Sequence, residues 1–178
     1  MSEIGLYERV RLMSVTAAPV VDPRTIAGDI RIDAPASEWQ EDPSGRQLGY
    51  LRTLIAPESP WASLRDNIVL VLTRFIVDHG VDVNDALDDA FNDARRLPDW
   101  SEHQAERFPI TDRNEGGTIQ AGSYRDESAG WLFAVTKHVL YQRGNVVYLL
   151  QCTGTTASDT AEHWSSLLRT VKSAYLDD

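Results

Sequence analysis

Between residues 131 and 153 the sequence alternates almost without interruption. Trp131, Phe133, Val135, Val139 and Tyr141 fall on one parity, and Leu132, Ala134, Thr136, His138 and Leu140 on the other. Gly144-Asn145 then supplies a tight turn, and residues 146–153 return as Val-Val-Tyr-Leu-Leu-Gln-Cys-Thr. A period of two sends successive side chains to opposite faces of a sheet, and a two-residue glycine turn joins antiparallel neighbours. Such a hairpin is marginal alone and needs further strands and a covering layer. The chain offers both.

Residues 106–113 and 117–126 predict two more strands, joined near Asn114-Glu115-Gly116-Gly117. Residues 67–76 are apolar and β-branched enough for a strand buried on both faces, and 29–33 and 49–56 predict shorter ones. Two segments have helical spacing. In 82–97, Val83, Leu87, Ala90, Phe91 and Ala94 recur, acids crowd the early turns, Arg95 and Arg96 close the last, and Pro98 stops the run. In 158–176 the stripe is Ala161, Trp164, Leu168, Val171 and Tyr175. About seven mostly antiparallel strands with helices in the middle and at the end predict an α+β sandwich, an antiparallel sheet flanked by helices. Residues 29–178 read as that one domain. Residues 1–28 read as an N-terminal extension, with one short helix (Leu6, Val10, Met13) before a loose stretch holding Pro19 and Pro23.

The 178 residues suffice for one substantial core without a metal or disulfide staple. The formal net charge is −10. Nucleic-acid binding needs clustered Lys and Arg to displace counterions, so it is excluded here, and polybasic attachment to anionic lipid fails for the same reason. The longest wholly apolar run, residues 68–72, is far short of the ~20 residues that span a bilayer. Glu3 and Glu8 spoil a signal-like basic region, and no cysteine precedes Cys152 to accept a lipid. On these grounds the sequence predicts a cytoplasmic protein without membrane insertion.

Catalytic and cofactor motifs are missing. There is no G-x-S-x-G elbow, phosphate loop, dinucleotide fingerprint or H-E-x-x-H pair. His79, His103, His138 and His163 lack metal-ligand spacing to one another or to Cys152, which reads as a buried, inert thiol. The expectation is therefore no enzyme, no cofactor and no metal. The five tryptophans stand out. Trp131 and Trp164 lie on periodic faces and predict core packing. Trp39, Trp61 and Trp100 lie in loops or just past a helix end, where aromatics line ligand grooves or cap the end of a sandwich. These three are the candidate ligand-binding residues.

Particular stretches add a family resemblance. Asp66-Asn67-Ile68-Val69-Leu70-Val71-Leu72-Thr73-Arg74-Phe75, then Leu97-Pro98-Asp99-Trp100, Ala121-Gly122-Ser123-Tyr124, and Val147 to Thr153 with Thr155-Thr156 together resemble the LpqN-type proteins of actinobacteria. The likeness runs over about residues 29–175. It implies the PsbP-like fold shared with the Ran-binding Mog proteins, whose members mostly bind proteins or ligands and carry no catalytic residues to transfer. It also implies, for LpqN-type members, a cell-envelope location and a link to glycolipids. A second, fold-level likeness is to the EagR-type adaptors of type VI secretion, through the opening from Ile30 to Trp39 and the final helix.

Two functions follow as expectations. The first is a non-enzymatic interaction or adaptor module that binds a protein partner or self-associates as a dimer. The second is a carrier of an apolar lipid or glycolipid, with the loop tryptophans at the pocket mouth.

Overall fold

The structure is a computed structural model that describes residues 3–177. Helix α1 (Leu6–Leu12) leads into strand β1 (Ser14–Val20), followed by β2 (Asp29–Arg31), β3 (Gln40–Glu41), β4 (Arg52–Ile55) and β5 (Asn67–Val77). A 3-10 helix (Asn84–Phe91) runs directly into the single turn α2 (Asn92–Arg95). The meander follows: β6 (Ser101–Phe108), β7 (Glu115–Asp126), β8 (Gly130–Arg143) and β9 (Val146–Thr156). Helix α3 (Ala161–Lys172) and β10 (Tyr175–Asp177) end the chain.

Eight strands form one antiparallel sheet, seven in the order β3-β4-β5-β9-β8-β7-β6 and the eighth, β1, paired with β5. The edge of β5 opposite β9 is shared: β4 pairs with residues 67–70 and β1 with residues 72–77. β2 and β10 form a separate two-stranded ribbon. The antiparallel α+β architecture read from the alternation is what the chain forms.

Both faces of the sheet are covered, each by a different layer. Phe133, Val135, Val139, Leu150 and Cys152 face α3 and the ribbon, with Leu167, Val171, Ile30 and Leu176 completing that core. On the other face, Phe75, Val77, Leu140, Val147 and Leu149 meet Leu6 and Val10 of α1 and Val83, Leu87 and Ala90 of the 3-10 helix. Close approach depends on glycine at two strand positions. A Cβ on Gly154 would stand 2.7 Å from Leu167 and 2.8 Å from Val171, so α3 lies flat on β9 only because that side chain is missing. A Cβ on Gly122 would stand 2.5 Å from both the Ser101 carbonyl and the Trp100 ring.

Four local expectations change. Residues 82–97 form a 3-10 helix over Asn84–Phe91 and a single α-helical turn over Asn92–Arg95, with Val83, Ala86, Leu87 and Ala90 buried against the sheet. The strand read as 106–113 is Ser101–Phe108, since Pro109 has no N–H to continue the ladder. Ser14–Val20 pairs along β5 although Pro19 made it look loose; an outer strand tolerates proline. The chain after Lys172 leaves the helix, and Tyr175 and Leu176 pair with β2 instead. Within the stretch read as an N-terminal extension, α1 thus lies on the second core and β1 in the main sheet.

Candidate functional site

Three segments converge at one end of the sheet. The loop over residues 56–66 is held to the β7–β8 turn by Ser63 Oγ, which donates to the Ala129 carbonyl at 2.8 Å. It is held to α3 by Asp66, whose Oδ2 lies 2.6 Å from His163 Nε2. The start of α3 is fixed by Thr160, whose hydroxyl accepts from the His163 N–H, and by Trp164, whose Nε1 donates to the Ser158 carbonyl at 2.6 Å. Trp164 stacks on Phe133 with ring centres 4.5 Å apart, and His103 meets both rings edge-on. On this frame Trp61 is 93% exposed and Trp131 60% exposed. A hollow of about 590 Å³ runs between Trp131, Phe133, Ser158 and Trp164, and a second of about 300 Å³ lies between Trp61, Asp66, Ser158 and His163. The two exposed indoles and the shallow hollows beside them form an aromatic rim at this end of the sheet.

A different cleft opens on the sheet face beside the second core. Its floor is polar: Gln120 from β7, Thr136 and His138 from β8, and Gln151 and Thr153 from β9. Its wall includes Ala90, Asp93, Ala94, Leu97 and Trp100, and it encloses about 210 Å³. Thr136 and Thr153 share a hydrogen bond at 3.1 Å, while Gln120 donates to the Phe91 carbonyl and to Glu102 at 3.2 and 2.7 Å. Burial pushes the His138 pKa down to about 4, against the opposing effect of its hydrogen bond to Gln151, so the ring is neutral at pH 7. Arg95 beside Glu102, with help from Gln120, holds that carboxyl below the usual range despite partial desolvation. The floor therefore offers neutral donors and acceptors.

The three tryptophans singled out in the sequence do not form one site. Trp61 stands on the rim, Trp39 lies half-buried in a neighbouring hollow that shares Asp66 and His163, and Trp100 walls the cleft. Trp131, read as core, is a correction: it lies near the start of β8, and Phe133, two residues on, takes the stacking place against Trp164. The rim needs residues from three distant segments, and only Trp61 in its polar loop signals it in sequence. Residues 120, 136, 138, 151 and 153 of the cleft floor left no signal, since polar residues on a strand read as the wet face of a sheet.

Cys152 is buried, and desolvation raises its thiol pKa to about 12, with Lys137 opposing. Such a thiol is not nucleophilic at neutral pH. Two histidine–oxygen contacts occur at the rim, Asp66–His163 and His103 Nε2 to Ser123 Oγ at 3.2 Å. Among the described residues no group of three or more His, Cys, Asp or Glu side chains is placed to hold a metal ion. Among them, too, no helix is long and apolar enough to cross a membrane.

Among solved structures the chain is similar to one described as "Crystal structure of LpqN involved in cell envelope biogenesis of Mycobacterium tuberculosis", with a TM-score of 0.78, 15% identity and 100% of each chain covered. At that identity the likeness speaks for the fold. No curated protein matches the sequence. The family model described as "Probable lipoprotein LpqN" matches residues 4–173, taking in α1 and β1 as well as the sheet and α3. Matched over nearly its whole length, the chain belongs to the LpqN family.

Proposed function

We propose that this protein is a non-catalytic binding module that engages a protein partner through the aromatic rim. One observation carries the reading: Trp61 and Trp131 are 93% and 60% exposed on segments pinned by Ser63–Ala129, Asp66–His163 and Trp164–Ser158. Tryptophan at a pre-organised surface is the residue most enriched among those that dominate binding energy. A rigid frame also spares the entropy of ordering the contact. Membership in a family described as probable lipoproteins, and a fold shared with a protein described as involved in cell envelope biogenesis, support a role at the cell envelope rather than the cytoplasmic one.

The test compares tagged wild-type protein with the double variant Trp61→Ala/Trp131→Ala in cross-linking pull-downs from native lysate. A partner enriched by the wild type and lost by the folded double variant is the expected result. An identical set of captured proteins overturns the reading.

A second reading, the carrier of a small ligand, is favoured by the cleft walled by Trp100. Its ~210 Å³ is below the several hundred Å³ usual for drug-sized ligands, which suits one compact group rather than a whole lipid. Native mass spectrometry of the purified protein, repeated under denaturing conditions, tests it. A retained mass that disappears in Trp100→Ala supports the carrier.

A further inference from the structure

The charges around the rim narrow the partner. Glu58 shares the loop of Trp61, Asp126 and Glu127 form the turn before Trp131, and Asp159 and Glu162 flank the start of α3 beside Trp164. With Asp66, which is hydrogen-bonded to His163, these are six carboxylates on the segments that carry the two exposed indoles, Asp126 being held by the Ser128 and Ala129 N–H groups of its turn. Only two arginines stand among the same segments. Arg65 is spent locally, its Nε donating to the Ala56 carbonyl at 2.5 Å and its guanidinium 3.7 Å from Glu58. Arg125 stands opposite Trp131 in the β7–β8 pairing.

We infer that the rim docks a cationic, apolar segment of a partner protein: Lys or Arg side chains interleaved with leucine-like or aromatic ones. This rests on the interaction reading above and specifies its partner. An indole face attracts an ammonium or guanidinium through its quadrupole, and a surrounding ring of carboxylates adds steering at range. The same ring argues against two other occupants. An isologous pair of copies would set six carboxylates against six. An anionic bilayer would meet the same repulsion.

The probe is a helical peptide of leucine and lysine, about 18 residues long, set against a leucine–glutamate peptide with the same apolar pattern. Binding is followed by anisotropy of labelled peptide on the full chain. The expected result is that the lysine peptide binds and the glutamate peptide does not. Trp61→Ala/Trp131→Ala weakens binding about tenfold, as loss of a tryptophan anchor does. Raising salt from about 50 to about 300 mM weakens it further. Both indoles are solvent-facing, so the double variant keeps its fold. As a second variant, Glu58→Lys/Glu127→Lys/Glu162→Lys leaves the indoles in place and lowers affinity for the lysine peptide.

Equal binding of both peptides, or lysine-peptide binding indifferent to the double variant, overturns the inference. Loss of a lysate partner in the double variant without any lysine-peptide binding overturns the cationic assignment and leaves the interaction reading standing. Tryptophan-dependent flotation with phosphatidylcholine vesicles in place of peptide binding overturns it in favour of lipid.

Discussion

At the residue scale, this fold turns on side chains that are either absent or neutral where the sheet demands it. Gly122 lies in β7 with the Trp100 ring and the Ser101 carbonyl where a Cβ would be. One of those neighbours is backbone in the edge strand β6, so relief requires β6 to move. Gly122→Ala is expected to lower stability by about 1–3 kcal/mol, the cost typical of overpacking, and to loosen the cleft wall. Urea unfolding followed by tryptophan fluorescence measures the first effect, and acrylamide quenching of Trp100 the second. His138 gives a pH signature. Its pKa falls from 6.5 to about 4 on folding because the ring is desolvated. Below pH 6.5 the unfolded chain takes up a proton that the native state refuses until about pH 4. The stability this neutral ring leaves intact above pH 6.5 is thus lost as pH falls through that window, by roughly 3 kcal/mol in all. The difference in unfolding free energy between wild type and His138→Gln, measured at pH 7 and again at pH 4.5, is expected to shrink or reverse at the lower value. A constant difference would place the cost in packing alone.

At the element scale, what was legible in sequence is what repeats. β8 and β9 alternate for a dozen residues and carry a glycine turn, so the hairpin and its two faces follow from parity. β1 was illegible because Ser14–Val20 mixes small residues with a proline, and its place is set by the free edge of β5, which no local pattern reveals. The 3-10 helix carried helical spacing, and its buried set of Val83, Ala86, Leu87 and Ala90 fits an α-helix equally well, so pattern alone does not separate the two. The aromatic rim was half legible: Trp61 was marked by its polar loop, but Trp131 read as core, and which aromatics meet depends on contacts such as Ser63 with Ala129 across 66 residues. The end of α3 is likewise fixed from afar. Lys137, in β8, donates to the carbonyls of Lys172 and Ala174, both at 2.7 Å, meeting two acceptors that a helix end leaves open. Its own charge is desolvated there, which lowers its pKa. Lys137→Met keeps the stem and removes the donor. It is expected to cost about 1–3 kcal/mol and to speed amide exchange in the β2–β10 ribbon, while exchange in β5 changes little. Hydrogen exchange read peptide by peptide checks both halves of that statement.

At the scale of the whole molecule, the sheet is enclosed by two layers, and each is supplied by an end of the chain. α3 and β10 cover one face from the C-terminal side, and α1 covers the other from the N-terminal side together with the 3-10 helix. The sequence separates residues 1–28 from the domain that follows because nothing local ties them to it. The ties are tertiary: Leu6 and Val10 are essentially inaccessible, the Tyr7 ring lies 5.7 Å from Phe75, and Asn92 donates to the Ile4 carbonyl at 2.9 Å. The exposed pair between Arg9 and Asp89 adds little beside them. Removing residues 1–12 would delete the buried Leu6 and Val10 and uncover Phe75, Val83 and Leu87. At ~1.5–3 kcal/mol for each buried side chain, the two lost residues alone amount to about 3–6 kcal/mol, a large share of a domain's net stability. The truncated chain is therefore expected to unfold at much lower urea concentration. An appendage that merely trails from the domain would leave the unfolding free energy within about 0.5 kcal/mol of the full chain's. Because the rim sits on the α3 side, any truncated protein that still folds is expected to bind the lysine peptide as the full chain does, which separates the role of α1 in stability from the role of the tryptophans in recognition.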